Sequence, residues 1–359
     1  MKPADSRAFW MGKLARARDR LEQLPATSRL RTALPEGYFA KLEQYIEQVK
    51  DLRYWPPFFG FLLKASGSKL VALESDLDLV LRNHPRESEK DLTDLVRADK
   101  GDGRTWHAGL FDLWVRATLL RQHRAPEFDV LLPNGRNTDV RLQVGQRRIR
   151  LENTVLTEDD ESKEVFDRFL DAKTAQTIAS DAPLSRPGPF DPPDAKGPSP
   201  FYNTVRLYAK VYDKLAARLD PDKSQCADDE PNVLLVSFAG FGVAPDDPGY
   251  GWALDGLLGT FWGSATDDDG YDISLRGWLL RHLDDLVAKN MITLDEYHKR
   301  IDNLGDTAAV RGRLSGIVLF DDFRLAQARI NYNAREPCLL THGEMAKLER
   351  LLDKTPVYS

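Results

Sequence analysis

The sequence predicts an α/β protein, a mixed sheet flanked by helices, attached to an all-helical N-terminal region. Three observations predict it. Helical apolar spacing dominates the first hundred residues. Three strand-like runs then follow one another at 128–132, 139–144 and 148–156. Two later runs, at 233–238 and 316–320, are apolar on both faces, as expected for the buried middle of a sheet.

The elements follow in order. Phe9, Leu14, Leu21 and Leu24 recur near helical spacing, as do Phe39, Leu42, Tyr45 and Ile46. Pro56-Pro57 interrupts the helices, and helical patterns resume through 58–63, 70–81 and 91–96. The run Asp-Lys-Gly-Asp-Gly-Arg at 99–104 reads as a loop, which divides a helical region, 1–100, from an α/β domain, 101–359. Residues 109–122 predict one amphipathic helix with Leu110, Leu113, Trp114, Ala117 and Leu120 inward. After the three strands, the stretch 181–200 carries seven prolines and two glycines and must be an extended loop. A helix at 204–219, a strand at 232–239, a Gly-rich stretch at 240–263 and helices near 274–289 and 294–304 come next. Strands at 314–320 and 328–333 and a helix at 343–352 close the chain.

Composition narrows the class. At 42% hydrophobic and 30% charged, the 359 residues are ordinary globular material. No apolar run approaches the roughly 20 residues of a membrane span, and the first twenty residues lack the apolar core of a signal peptide. Cys226 and Cys338 alone make neither a disulfide framework nor a zinc ribbon. A reduced, cytoplasmic protein with no membrane attachment is expected. The net charge of −6 is uneven: residues 1–125 hold 22 Lys and Arg against 17 Asp and Glu, and the remainder 28 against 39. The basic front half fits a polyanion or an acidic protein partner, with Lys13, Arg16 and Arg20 forming a stripe on one helix face. Its competing reading is a solvated helix face. Trp10, Trp55, Phe58, Phe59 and Phe61 read as core, the alternative being a stacking platform for bases. The six histidines show no zincin or finger spacing, and no nucleophile elbow or phosphate-binding loop is present.

The most informative segment is the hairpin. Val140, Leu142 and Val144 alternate with Asp139, Arg141 and Gln143, and Ile149 and Leu151 alternate with Arg148, Arg150 and Glu152. Gly145-Gln146 between them is the signature of a type II′ turn, which fixes the register. Val144 then faces Arg147, Leu142 faces Ile149, Val140 faces Leu151, and Asp139 faces Glu152. Opposed carboxylates destabilise a sheet unless a cation lies between them. The same register opposes Arg141 and Arg150, diagonal to Glu152 and Asp139. Those four charges sum to zero and can satisfy one another without a metal.

A helix carrying Asp112, then Thr138-Asp139 opening a strand, then Glu152-Asn153-Thr154 on the paired strand, resembles the PD-(D/E)XK nuclease superfamily. The helix at 204–219 and the strand at 233–238 extend the likeness, which covers roughly residues 105–240. The resemblance implies a restriction endonuclease-like core. It also implies hydrolysis of phosphodiester bonds in nucleic acid, with Asp112, Asp139 and Glu152 as oxygen ligands to Mg²⁺ or Mn²⁺. Two departures stand out. Thr138 replaces the proline, which is harmless. Thr154 replaces the lysine that orients water and stabilises charge on the phosphate. Lys210 and Lys214, one turn apart on the next helix, are the candidates to supply that cation. The alternative is a non-catalytic module that keeps the nuclease-like fold to bind nucleic acid or protein.

Overall fold

The protein is described by a computed structural model over residues 3–34, 36–48, 57–83, 104–122, 125–157, 224–239, 287–288, 293–295, 298, 312–321, 323–354, 356 and 358. It is an α/β protein built around a six-stranded mixed sheet. It divides into two compact units, residues Met1–Pro126 with Leu351–Ser359, and residues Glu127–Arg350. The helix Arg104–Arg121 therefore groups with the N-terminal helices, whereas the sequence reading joins it to the strands.

The helical unit contains α1 (Pro3–Glu22), α2 (Arg29–Ala33), α3 (Tyr38–Gln48), α4 (Pro57–Lys64), α5 (Gly67–Asn83) and α6 (Arg104–Arg121). On α1, Leu14, Ala17 and Leu21 are buried at helical spacing, but Phe9 is exposed and lies outside the core. Ser28 caps α2, its hydroxyl accepting the Arg31 amide at 3.3 Å. Pro57 opens α4, where its missing N–H costs no helical bond. On α5 the buried stripe runs Leu70, Leu73, Asp76, Leu77, Val80, Leu81, so one carboxylate sits among aliphatic side chains. Phe58 and Phe59 are fully buried, and Phe58 packs on Trp106 with ring centroids 5.3 Å apart. These two are core, as expected; Trp55 lies outside the described residues. α6 begins five residues earlier than its apolar spacing predicts and is buried around most of its circumference, including Arg116 and Thr118. The basic stripe on α1 is partly absorbed by the unit itself: Arg16 donates to the Gly12 carbonyl and Arg20 to the Ala65 carbonyl.

The second unit is the sheet β1 (Glu127–Leu131), β2 (Asn137–Val144), β3 (Arg147–Thr157), β4 (Asn232–Ala239), β5 (Leu314–Asp321) and β6 (Arg324–Ile330), with α7 (His342–Leu352) after it. The strands lie in chain order. β1, β2 and β3 form an antiparallel meander, β4 and β5 add in parallel, and β6 returns antiparallel. β6 begins four residues before the run predicted at 328–333, because its pairing with β5 already starts at Asp321 with Arg324.

β4 and β5 are apolar on both faces because both faces are buried, from Val233 to Phe238 and from Leu314 to Phe320. Gly316 permits a close approach. A Cβ there would lie 2.6 Å from Met345 Cε and 2.8 Å from the Arg329 carbonyl oxygen. α7 thus lays Met345 on β5 where the strand lacks a side chain. α7 itself starts in a capping box: the Glu344 amide donates to Thr341 Oγ1 at 3.2 Å, and the Thr341 amide donates back to the Glu344 carboxylate at 2.9 Å.

Candidate functional site

The hairpin forms in the register that its turn dictates. Val144 pairs with Arg147, Leu142 with Ile149, and Val140 with Leu151. Gly145 has φ +66 while Gln146 is not among the residues with positive φ, so the turn is type II′ and not I′. Val140, Leu142, Ile149 and Leu151 are buried on one face. Asp139, Arg141, Arg150, Glu152 and Thr154 fall on the other by alternation.

One step beyond Val140 and Leu151 the count places Asp139 across from Glu152. The backbone pairing stops there, for a specific reason. The Arg150 amide donates to the Pro231 carbonyl at 2.8 Å, on the β4 side. Successive amides alternate, so the Asn153 amide faces β2. Its acceptor is the Asp139 carboxylate, with Oδ2 at 2.6 Å. Thr138 contributes a second side-chain link, its hydroxyl donating to the Leu151 carbonyl at 3.2 Å. β2 is therefore stitched to β3 by side chains where the ladder ends, and Asp139 is held against the residue that follows Glu152. Glu152 is only 3% exposed, and Thr154, two residues further on the same face, is 6% exposed. A carboxylate so deeply buried requires hydrogen bonds or a cation to remain charged.

Arg141 and Arg150 oppose each other as counted. Their partner is one the sequence reading missed. Both guanidinium groups converge on Glu230: Arg141 Nε donates to Oε2 at 2.8 Å, Arg150 Nε donates to the same oxygen at 2.9 Å, and Arg141 Nη2 reaches Oε1. Arg150 also approaches Asp229 at 3.4 Å, and Glu127 flanks Arg141 and Arg148. The four-charge cluster of Asp139, Arg141, Arg150 and Glu152 is thus corrected: Glu230 is the carboxylate that the two arginines share. Burial alone would raise the Glu230 carboxyl pKa. The hydrogen bond from Arg141 and the charge of Arg150 outweigh burial and hold it below the ordinary range. The sequence signal for Glu230 is faint. It is one of three acids before Pro231, and it reaches Arg150 only because β4 lies parallel to β3, bringing residues 80 apart together.

A second missed residue is Asp129. It has φ +48, a left-handed conformation that Asp tolerates better than most residues. β1 pairs with β2 on either side of it, Phe128 with Val140 and Val130 with Thr138, so by count it stands across from Asp139.

Thr154 shares the face of Glu152, and the remaining predicted site residues belong elsewhere in the chain. Asp112 lies on α6 in the helical unit and forms an i, i+4 ion pair with Arg116 at 2.8 Å. Lys210 and Lys214 lie outside the described residues. For a divalent cation, Asp139 and Glu152 have the right donor chemistry, hard carboxylate oxygens. Among the described residues, however, no three His, Cys, Asp or Glu side chains group as a metal site. Also among the described residues, no helix is long and apolar enough to cross a membrane. Compared with family models, curated proteins and solved structures, the chain matches none.

Proposed function

We propose that the chain is a metal-dependent nuclease-like protein, with a restriction endonuclease-like sheet unit that hydrolyses phosphodiester bonds of nucleic acid. One observation carries this: the Asp139 carboxylate is bound to the β3 backbone at Asn153, which holds it beside Glu152 on one face of the sheet. The strand plan agrees with it, since an antiparallel meander bears both carboxylates and β4 adds in parallel beside the strand that carries Glu152. Asp139 and Glu152 would hold Mg²⁺ or Mn²⁺, which lowers the pKa of a bound water and draws charge from a phosphate oxygen. Asn153 orients Asp139, and Arg141 and Arg150, engaged by Glu230, keep the neighbouring stretch of the same face ordered.

Thr154 favours a second reading. A buried threonine stands where the resemblance expects a lysine, and a hydroxyl supplies no positive charge. A nucleic-acid- or protein-binding module without hydrolysis is its consequence.

Cleavage of DNA and RNA with Mg²⁺ or Mn²⁺ decides between them. Asp139→Asn and Glu152→Gln keep shape and hydrogen-bonding capacity but remove charge. The nuclease reading expects at least about a hundredfold loss of cleavage in each, the size of effect seen when one electrostatic stabiliser of a reacting site is removed. Cleavage equal in wild type and both variants would overturn it. Binding without cleavage in every form would establish the module.

A further inference from the structure

We propose that the helical unit carries a binding site for a tyrosine-bearing peptide segment, and that this chain fills it with the segment that bears its own Lys354 and Tyr358. The inference is independent of the nuclease reading.

The site is built from two helices. Asp76 lies within the apolar stripe of α5 and is 1% exposed. One oxygen pairs with Arg121 at the end of α6, whose side chain is 48% exposed, and the other accepts the Tyr358 hydroxyl at 2.8 Å. A buried carboxylate needs donors at both oxygens, and here a phenol from 282 residues away provides one of them. On α6, Trp114 is fully buried, and its indole N–H, a donor only, reaches the Lys354 carbonyl at 2.8 Å. The site thus reads a main-chain carbonyl at one point and an aromatic hydroxyl four residues later. Fully extended chain spans at most about 14 Å over that interval.

The occupant behaves as a ligand in its local chemistry. α7 ends at Leu352, and Pro356 prevents the helix from continuing. Beyond Leu352 the segment forms neither helix nor strand among its described residues. Its tyrosine is nonetheless as buried as a core residue, at 4% exposed. Asp76 Oδ2 and the Trp114 indole N–H each meet a partner that α5 and α6 do not supply.

Amide hydrogen exchange on the full chain tests this. A protease site inserted between Leu352 and Asp353 and cut after folding leaves the last seven residues as a free peptide. Once that peptide is dialysed away, protection in α5 and α6 falls about tenfold or more while β2 to β5 keep theirs. Adding the wild-type peptide at millimolar concentration, comparable to the effective concentration of a tether, restores protection, and the same peptide with Tyr358→Phe does not. Uncut full-length Tyr358→Phe gives faster exchange in α5 and α6 by itself. Unchanged protection after cutting, failure of the wild-type peptide to restore it, or equal loss across the whole chain would each overturn the proposal.

Discussion

The Asp139 carboxylate accepts the backbone N–H of Asn153 at 2.6 Å. A side chain thereby takes the place of a ladder carbonyl. The bond gives Asp139 a structural duty as well as a chemical one, and the two can be separated by substitution.

Asp139→Ala leaves the Asn153 amide without that acceptor and is expected to cost about 1–3 kcal/mol, the range for a buried donor left unsatisfied. Asp139→Asn keeps an oxygen acceptor and is expected to cost less than half as much. Chemical denaturation of both variants measures the difference. Equal losses would show that the charge, and not the hydrogen bond, holds β2 to β3 at this point.

Glu230 gives the sheet unit an acid limb. Its folded pKa lies below the ordinary carboxylate value, so the unfolded chain takes up the proton first as pH falls. The stability it confers is present above the ordinary value and is lost as pH falls through the folded one. Glu230→Gln is expected to lower stability at neutral pH by about 1–3 kcal/mol, since two guanidinium groups lose one carboxylate. It should also flatten the stability profile below the ordinary carboxylate value. Denaturant midpoints taken across the acid range test both effects.

His107 acts at higher pH and with the same sign. Burial lowers its pKa, so the folded protein keeps it neutral while the unfolded chain protonates. Its contribution is present above its ordinary value of 6.5 and erodes as pH falls below it. His107→Gln should remove that part of the slope without touching the Glu230 limb. The imidazole proton resonances of wild type report the titration directly.

Gly316→Ala is expected to destabilise the sheet unit by about 1–3 kcal/mol through overpacking. The new Cβ would meet Met345 Cε at 2.6 Å and the Arg329 carbonyl at 2.8 Å. Adding Met345→Ala frees only the first contact, so the double variant should recover part of the loss. Thermal melts of the two single variants and the pair form the cycle.

The hairpin, the two apolar strands and the final helix were legible in the sequence because each is encoded locally. Alternation with period two sets the faces of β2 and β3, Gly145 sets the turn and thereby the register, and unbroken apolar runs mark β4 and β5 as central. What lay beyond the sequence was the partner of each charge. Arg141 and Arg150 looked to their nearest acids along the hairpin, yet parallel pairing of β3 with β4 delivers Glu230 to both from about eighty to ninety residues away. Asp139 read as one of a facing pair, and only the end of the ladder shows that it also serves the Asn153 amide. Asp76 carries no signal along the chain, and its partner Tyr358 lies 282 positions away. Period and turn chemistry act between neighbours in the chain, so residue order determines them. The neutralisation of a buried charge depends on which distant atoms the packed backbone brings within about 3 Å, and that is decided by the tertiary structure.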